Sequence, residues 1–130
     1  MLYPQLPEAQ FAVMQVVWEQ EEPVSGKHVA KSLLSQKGWK RQTVHTLLSR
    51  LVKKGFLSVE KQDTEMCYKP LVNREDYLRQ ETSRFIEVFH KNSLSGLVFA
   101  LESGTKISDS DLAELMMWLK AREKEEQNSG

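Results

Sequence analysis

Residues 40–55 read Lys-Arg-Gln-Thr-Val-His-Thr-Leu-Leu-Ser-Arg-Leu-Val-Lys-Lys-Gly, and the fold turns on how they are read. Val44, Leu47, Leu48 and Leu51 fall at i, i+3, i+4 and i+7, which is one apolar stripe of an amphipathic helix. Gly55 ends that helix, and Lys53 and Lys54 occupy its last turn, where cations complement the helix dipole. The opposite face carries Arg41, Gln42, Thr43, His45, Thr46, Ser49 and Arg50, with no carboxylate among them. An ordinary solvated face mixes signs of charge. This one does not, and its donors and short polar groups suit base edges and phosphates.

The surroundings of the stretch support that reading. Lys27, Lys31, Lys37, Lys40, Arg41, Arg50, Lys53, Lys54 and Lys61 are nine cations between residues 27 and 61, against Glu60 alone, a local charge of +8. The segment from residue 73 onward carries eight Lys and Arg against eleven Asp and Glu, or −3. A formal net charge of zero over 130 residues therefore hides a basic patch fit for a polyanion.

On the N-terminal side, residues 1 to 5 are expected to be loose. Pro7 fits a first helical turn, and Phe11, Met14 and Trp18, flanked by Val13 and Val17, predict a helix over Leu6 to Glu19. Glu21, Glu22 and Pro23 end it, and Val24 is expected as a one-residue stub of strand. Ser25 is a good N-cap for a second helix reaching Gln36, with Val29, Ala30, Leu33 and Leu34 facing inward and Gly38 closing it. Two helices joined by a short turn, the second one basic, make a helix-turn-helix.

On the C-terminal side the period changes from 3.6 to 2. Leu57 and Val59 alternate with Ser58 and Glu60; Gln62, Asp63 and Thr64 form a turn; Met66 to Leu71 returns, with Tyr68 inward and Pro70 near the end of an edge strand. A hairpin directly after a recognition helix is the wing of a winged helix. Asn73 then caps a long helix through Tyr77, Leu78, Phe85, Ile86 and Phe89, which Asn92 and Ser93 break. Leu94, Leu97, Val98 and Leu101 form another stripe, and Gly104 punctuates. Ser108 with Asp111 resembles a capping box and opens a stripe of Leu112, Leu115, Met116 and Leu119. The charged tail from Lys120 to Gly130 is expected to fray.

About fifty residues in three short amphipathic helices rarely bury enough surface to stand alone, so these helices are expected to interdigitate with a second copy. A two-fold dimer presents two recognition helices, matching half-sites about one helical turn, or a multiple of it, apart.

Catalytic and metal chemistry find no support. His28, His45 and His90 lack ligand spacing, and the single Cys67 has no CxxC partner and reads as a small buried hydrophobe. There is no glycine-rich phosphate loop and no GxSxG, and nothing in the spacing supports a triad of Ser25, His28 and Asp63. Trp18, Trp39 and Tyr68 read as core or interface residues, and Met116–Met117 as helix packing. No signal peptide is apparent, and no apolar run approaches membrane-spanning length, so a soluble, cytoplasmic protein is expected.

Three segments now resemble a family. Val13-Met14-x-x-x-Trp18, Thr43-Val44-x-Thr46-x-Leu48-x-Arg50-Leu51-x-x-Lys54-Gly55 and Tyr68-x-Pro70 are similar to the BlaI/MecI/CopY family of bacterial repressors, and the likeness covers nearly the whole chain. It implies a winged-helix domain, a helical dimerisation domain, and a dimer that represses transcription at a pseudo-palindromic operator. In the penicillinase-repressor branch, a membrane sensor's signal leads to proteolysis at an Asn-Phe bond in the C-terminal helices. Here Ala100-Leu101 stands at that place, within Gly96-Leu97-Val98-Phe99-Ala100-Leu101-Glu102. The copper branch ends in paired Cys-x-Cys motifs, and this tail has no cysteine. Gln10 sits where the family usually has Glu, and Lys40-Arg41 where Ser-Pro is common.

The expectation is thus a mainly α protein with a small β-hairpin wing: a winged helix-turn-helix domain over residues 1–72 and a helical dimerisation domain with a frayed tail over 73–130. It is read as a homodimeric repressor, not an enzyme, needing no cofactor or metal. Arg41, Gln42, Thr43, His45 and Thr46 are expected at bases. Ser25, Lys27, Lys40, Ser49, Arg50, Lys53, Lys54, Lys61 and Thr64 are expected at phosphates. Tyr77, Leu78, Phe85, Phe89, Leu94, Leu97, Val98, Leu101, Leu112, Leu115, Met116 and Leu119 are expected in the dimer interface. The partners are double-stranded operator DNA, a second copy and an upstream sensor or protease, with no membrane insertion. The competing readings are a winged-helix protein-interaction module and a small-ligand-sensing dimeric winged-helix regulator.

Overall fold

The apolar stripes of three N-terminal helices converge on one core, shown in a computed structural model that describes residues 2–104 and 107–129. The order is α1 (Glu8–Glu19), β1 (Val24–Ser25), α2 (Gly26–Lys37), α3 (Arg41–Lys53), β2 (Leu57–Gln62), β3 (Glu65–Pro70), α4 (Arg74–His90), α5 (Leu94–Gly104) and α6 (Asp109–Ser129). Val44, Leu47, Leu48 and Leu51 of α3 are all buried, as their spacing predicts, against Val13, Met14 and Val17 of α1 and Val29 and Leu33 of α2. Cutting a leucine such as Leu51 to alanine in such a core costs about 2–5 kcal/mol.

Local chemistry sets the ends of these helices. Ser25 Oγ accepts from the His28 amide at 3.1 Å and caps α2. Gly38 at the end of α2 and Gly55 after α3 hold φ of 70° and 82°, where a side chain would be strained. Leu34, expected inward, is 59% exposed because it lies on the flank of α2 away from the Val29–Leu33 line. Pro7 is the N-cap of α1 rather than a residue of its first turn, since its ψ of 152° is extended.

The sheet has three strands in the order β1-β3-β2, all antiparallel. Val24–Ser25 pairs with Tyr68 and Cys67, so the expected stub is a two-residue strand. The return strand is Glu65–Pro70, one residue earlier than expected, because Asp63 and Thr64 alone make the turn. Asp63 takes φ of 55°, as a two-residue hairpin connection demands. As the middle strand, β3 buries both Cys67 and Tyr68, at 7% and 4% exposure. Burial, with a smaller contribution from neighbouring Cys67, raises the Tyr68 phenol above its ordinary pKa of 10.0, so it stays neutral.

Two compact units emerge, Met1–Ser83 and Arg84–Gly130, which puts the division inside α4 rather than at 72/73. The reason is Tyr77. Expected in a dimer interface, it is instead 2% exposed within the first unit, stacked on Phe11 and edge-on to Phe56. Its hydroxyl accepts from the Leu6 amide at 2.8 Å. The N-terminal residues expected to be loose are likewise tied down. Tyr3 exchanges two hydrogen bonds of 2.8 Å with the Gln80 side chain and packs on Phe56. Trp18 Nε1 donates to the Val72 carbonyl at 3.0 Å.

In the second unit, Ser93 Oγ accepts from Gly96 N at 2.9 Å and starts α5, and Ser108 Oγ accepts from Asp111 N at 3.1 Å and starts α6. Lys91 and Asn92, both at positive φ, make the break after α4. The tail does not fray as expected: α6 runs to Ser129, and only Gly130 of that stretch lies outside the described residues. Ala121 to Gln127 are strong helix formers with no Gly or Pro, and the Arg122 guanidinium lies 5.1 Å from the Trp118 ring. Apolar side chains here stay open to solvent: Phe89 is 69% exposed, Phe99 68%, Leu94 59% and Met116 56%, while Leu97 and Val98 are half-buried.

Candidate nucleic-acid interface

Burying the Val44–Leu51 stripe forces the other face of α3 outward. Arg41, Gln42, Thr43, His45, Ser49, Arg50 and Lys53 are all exposed on it. Thr46 is half-buried, and its hydroxyl donates to the Gln42 carbonyl at 3.1 Å, which leaves the oxygen as an acceptor only. Gln42, Thr43, Thr46 and Arg50 line a shallow depression along this face. α3 starts at exposed Lys40 with no side-chain cap, as expected where Lys-Arg replaces a capping pair.

On the other flank a cavity of about 220 Å³ opens between α2, α3 and the wing. Its wall includes Lys27 and Ala30 from α2, Arg41 and His45 from α3, and Thr64 and Met66 from the hairpin. The close approach needs Gly26, where an added Cβ would sit 3.3 Å from the Tyr68 ring. Four residues expected to meet nucleic acid, scattered from 27 to 64 in sequence, thus share one edge.

Two lysines among the expected phosphate contacts have partners within the chain. Lys27 Nζ lies 3.6 Å from Glu65 Oε1. Both groups are exposed, so the pair is worth at most about 1 kcal/mol and yields readily to a phosphate. Lys54 is different. Its ammonium donates to Gln10 Oε1 at 2.6 Å, on the α1 side of α3. Lys54, expected at a phosphate, thus has a partner inside the chain. Lys54 follows Leu47 by seven residues, and so lies near the buried stripe rather than on the outward face. Lys61 is exposed on β2 opposite Met66, and Ser25 spends its Oγ on the α2 cap.

The sequence reading missed Gln10 and Glu65. Gln10 is 4% exposed, a polar residue in phase with Val13, Met14 and Val17. That phase was the available signal. Nothing in the sequence marked Glu65 as the partner of Lys27. Among the described residues, no group of three His, Cys, Asp or Glu is placed to hold a metal ion. Nor is any helix long and apolar enough to cross a membrane.

Comparison with known proteins places this geometry. Residues 6–121 match the family model described as penicillinase repressor. The penicillinase repressor of Bacillus licheniformis is 30% identical over 125 residues, 94% of this chain and 97% of that one. The methicillin resistance regulatory protein MecI of Staphylococcus aureus is 27% identical over 111 residues, 85% of this chain and 89% of that one. Among solved structures, the DNA-binding domain of the repressor BlaI matches with a TM-score of 0.53 at 33% identity, covering 58% of this chain and 92% of that one. Monomeric B. licheniformis BlaI in complex with the blaP half-operator matches with a TM-score of 0.51, again at 33% identity and the same coverage.

Proposed function

The chain belongs to the penicillinase repressor family, and on that premise we propose that it represses transcription as a homodimer on a pseudo-palindromic operator. It is a DNA-binding regulator and not an enzyme. The observation that carries this is the single-sign outward face of α3, with Arg41, Gln42, Thr43 and His45 exposed on it. A helix of this kind enters the major groove with its first turns at the base edges. Gln42 suits adenine and Arg41 suits guanine. Lys27, Lys40, Lys53, Lys61 and Thr64 flank the helix and supply phosphate contacts that fix orientation without reading sequence.

Dimerisation is supported by the second unit. So many exposed apolar side chains are costly on a monomer: Phe85, Phe89, Leu94, Leu101, Leu112, Leu115, Met116 and Leu119 are all more than 40% exposed. Each copy brings one α3 to one half-site. The protein acts in the cytoplasm, where its operator lies. Release from DNA involves an upstream sensor or protease acting on α5, where Ala100 and Leu101 are exposed.

Selection of bound fragments from genomic DNA tests this reading directly. The expected result is one inverted-repeat motif. Recovery of fragments with no shared motif sinks it, as does binding to random duplex that does not weaken with salt.

A further inference from the structure

Gln10 is polar yet only 4% exposed, and its side-chain oxygen accepts from Lys54 Nζ at 2.6 Å. The contact joins α1 to the C-terminal end of α3, residues 44 apart in sequence. In the core, Val44, Leu47, Leu48 and Leu51 of α3 share one apolar cluster with Val13, Met14, Val16 and Val17 of α1. Apolar packing of that kind decides which face of α3 turns inward, but the hydrophobic effect itself is non-directional. A charge-assisted hydrogen bond is directional and short. At 3.6 residues per turn, Lys54 projects about 120° round the helix from Gln42. A turn of about 20° moves a side-chain tip on a helix this wide by about 2 Å, enough to lose a hydrogen bond to a base.

We propose that Gln10 is a positioning residue for operator recognition: by holding the Lys54 ammonium against α1 it sets the rotation of α3 and keeps that cation off the DNA backbone. Gln10 touches no base. It acts through Lys54 on where Gln42, Thr43 and His45 point. A neutral amide suits this task because it fixes the ammonium without burying a counter-charge. The inference rests on the repressor reading above.

The test uses the full chain and two duplexes: the one that wild-type protein selects from a random library, and a random-sequence duplex of equal length. Gln10→Ala and Lys54→Ala are each expected to weaken binding to the selected duplex about tenfold while leaving the random duplex and the salt slope unchanged. The double variant is expected to lose no more than the worse single one, since both remove the same bond. Gln10→Glu keeps an acceptor and should bind within about threefold of wild type. Lys54 is on the surface, so its variant reports even where Gln10→Ala disturbs folding. Weakening of both duplexes alike by Lys54→Ala, with the salt slope lower by about 1, makes Lys54 a phosphate contact and overturns the proposal. Additive losses in the double variant overturn it as well. If wild-type protein selects no duplex, the repressor reading fails and takes this inference with it.

Discussion

The hydroxyl of Tyr77, in the second turn of α4, accepts a 2.8 Å hydrogen bond from the backbone amide of Leu6, 71 residues earlier. The bond is buried, and it ties the start of the chain to the helix that leaves the winged-helix core. Tyr77→Phe keeps the ring contacts with Phe11, Trp18 and Phe56 but leaves that amide unpaired. The expected loss is about 1–3 kcal/mol of stability, read from urea unfolding followed by tryptophan fluorescence. An unchanged midpoint means that water reaches the amide and the seal at Leu6 is imaginary.

Lys53→Ala and Lys61→Ala should each weaken binding to selected and random duplexes by the same factor and lower the salt slope by about 1. Fluorescence anisotropy across a salt series measures this. A loss confined to the selected duplex moves the residue from the backbone to the bases.

Gln42→Ala should cost about 1–3 kcal/mol on the selected duplex and relax one position in each half-site. Repeating the selection with the variant checks it, and an unaltered motif refutes the assignment. Gln42 is the sharper choice over Thr46, whose hydroxyl proton is already given to the Gln42 carbonyl.

Phe89→Asp should dissociate the homodimer while the Met1–Ser83 unit stays folded. Phe89 is 69% exposed, so the substitution does little to a lone subunit; Leu97, already half-buried, would confound the two effects. A monomer loses the gain from engaging both half-sites together, so operator affinity falls although no DNA-facing residue has changed. Analytical ultracentrifugation showing an intact dimer sends the search for the interface elsewhere on the second unit.

Much of this architecture was legible because periodicity is local. Val44, Leu47, Leu48 and Leu51 name their own buried face, Ser25 and Asn73 their own caps, and Asp63 and Thr64 their turn, although Gln62, expected with them, ends β2. Both Asn73 amide bonds, to Glu75 and Asp76, are there at 2.9 and 3.2 Å. What stayed hidden depended on partners far away in sequence. Tyr77 lies on a helix whose later turns are apolar and exposed, and nothing local separates a core aromatic from an interface one. Lys54 looks like any basic residue at a helix end until Gln10 is brought beside it. The tail stays helical for another reason: charge alone does not fray a helix, and Ala121 to Gln127 holds no helix breaker.

The middle strand of the sheet carries the chain's one thiol, and Cys67 is 7% exposed there. A thiol reagent therefore has a single target in the whole molecule, and can reach it freely only when β3 parts from its neighbours. Labelling rate becomes a clock for opening of the wing, needing no introduced probe. Because β3 lies between β1 and β2, and its hairpin turn edges the cavity beside α3, slower labelling in the presence of DNA would time how firmly the duplex holds the wing shut.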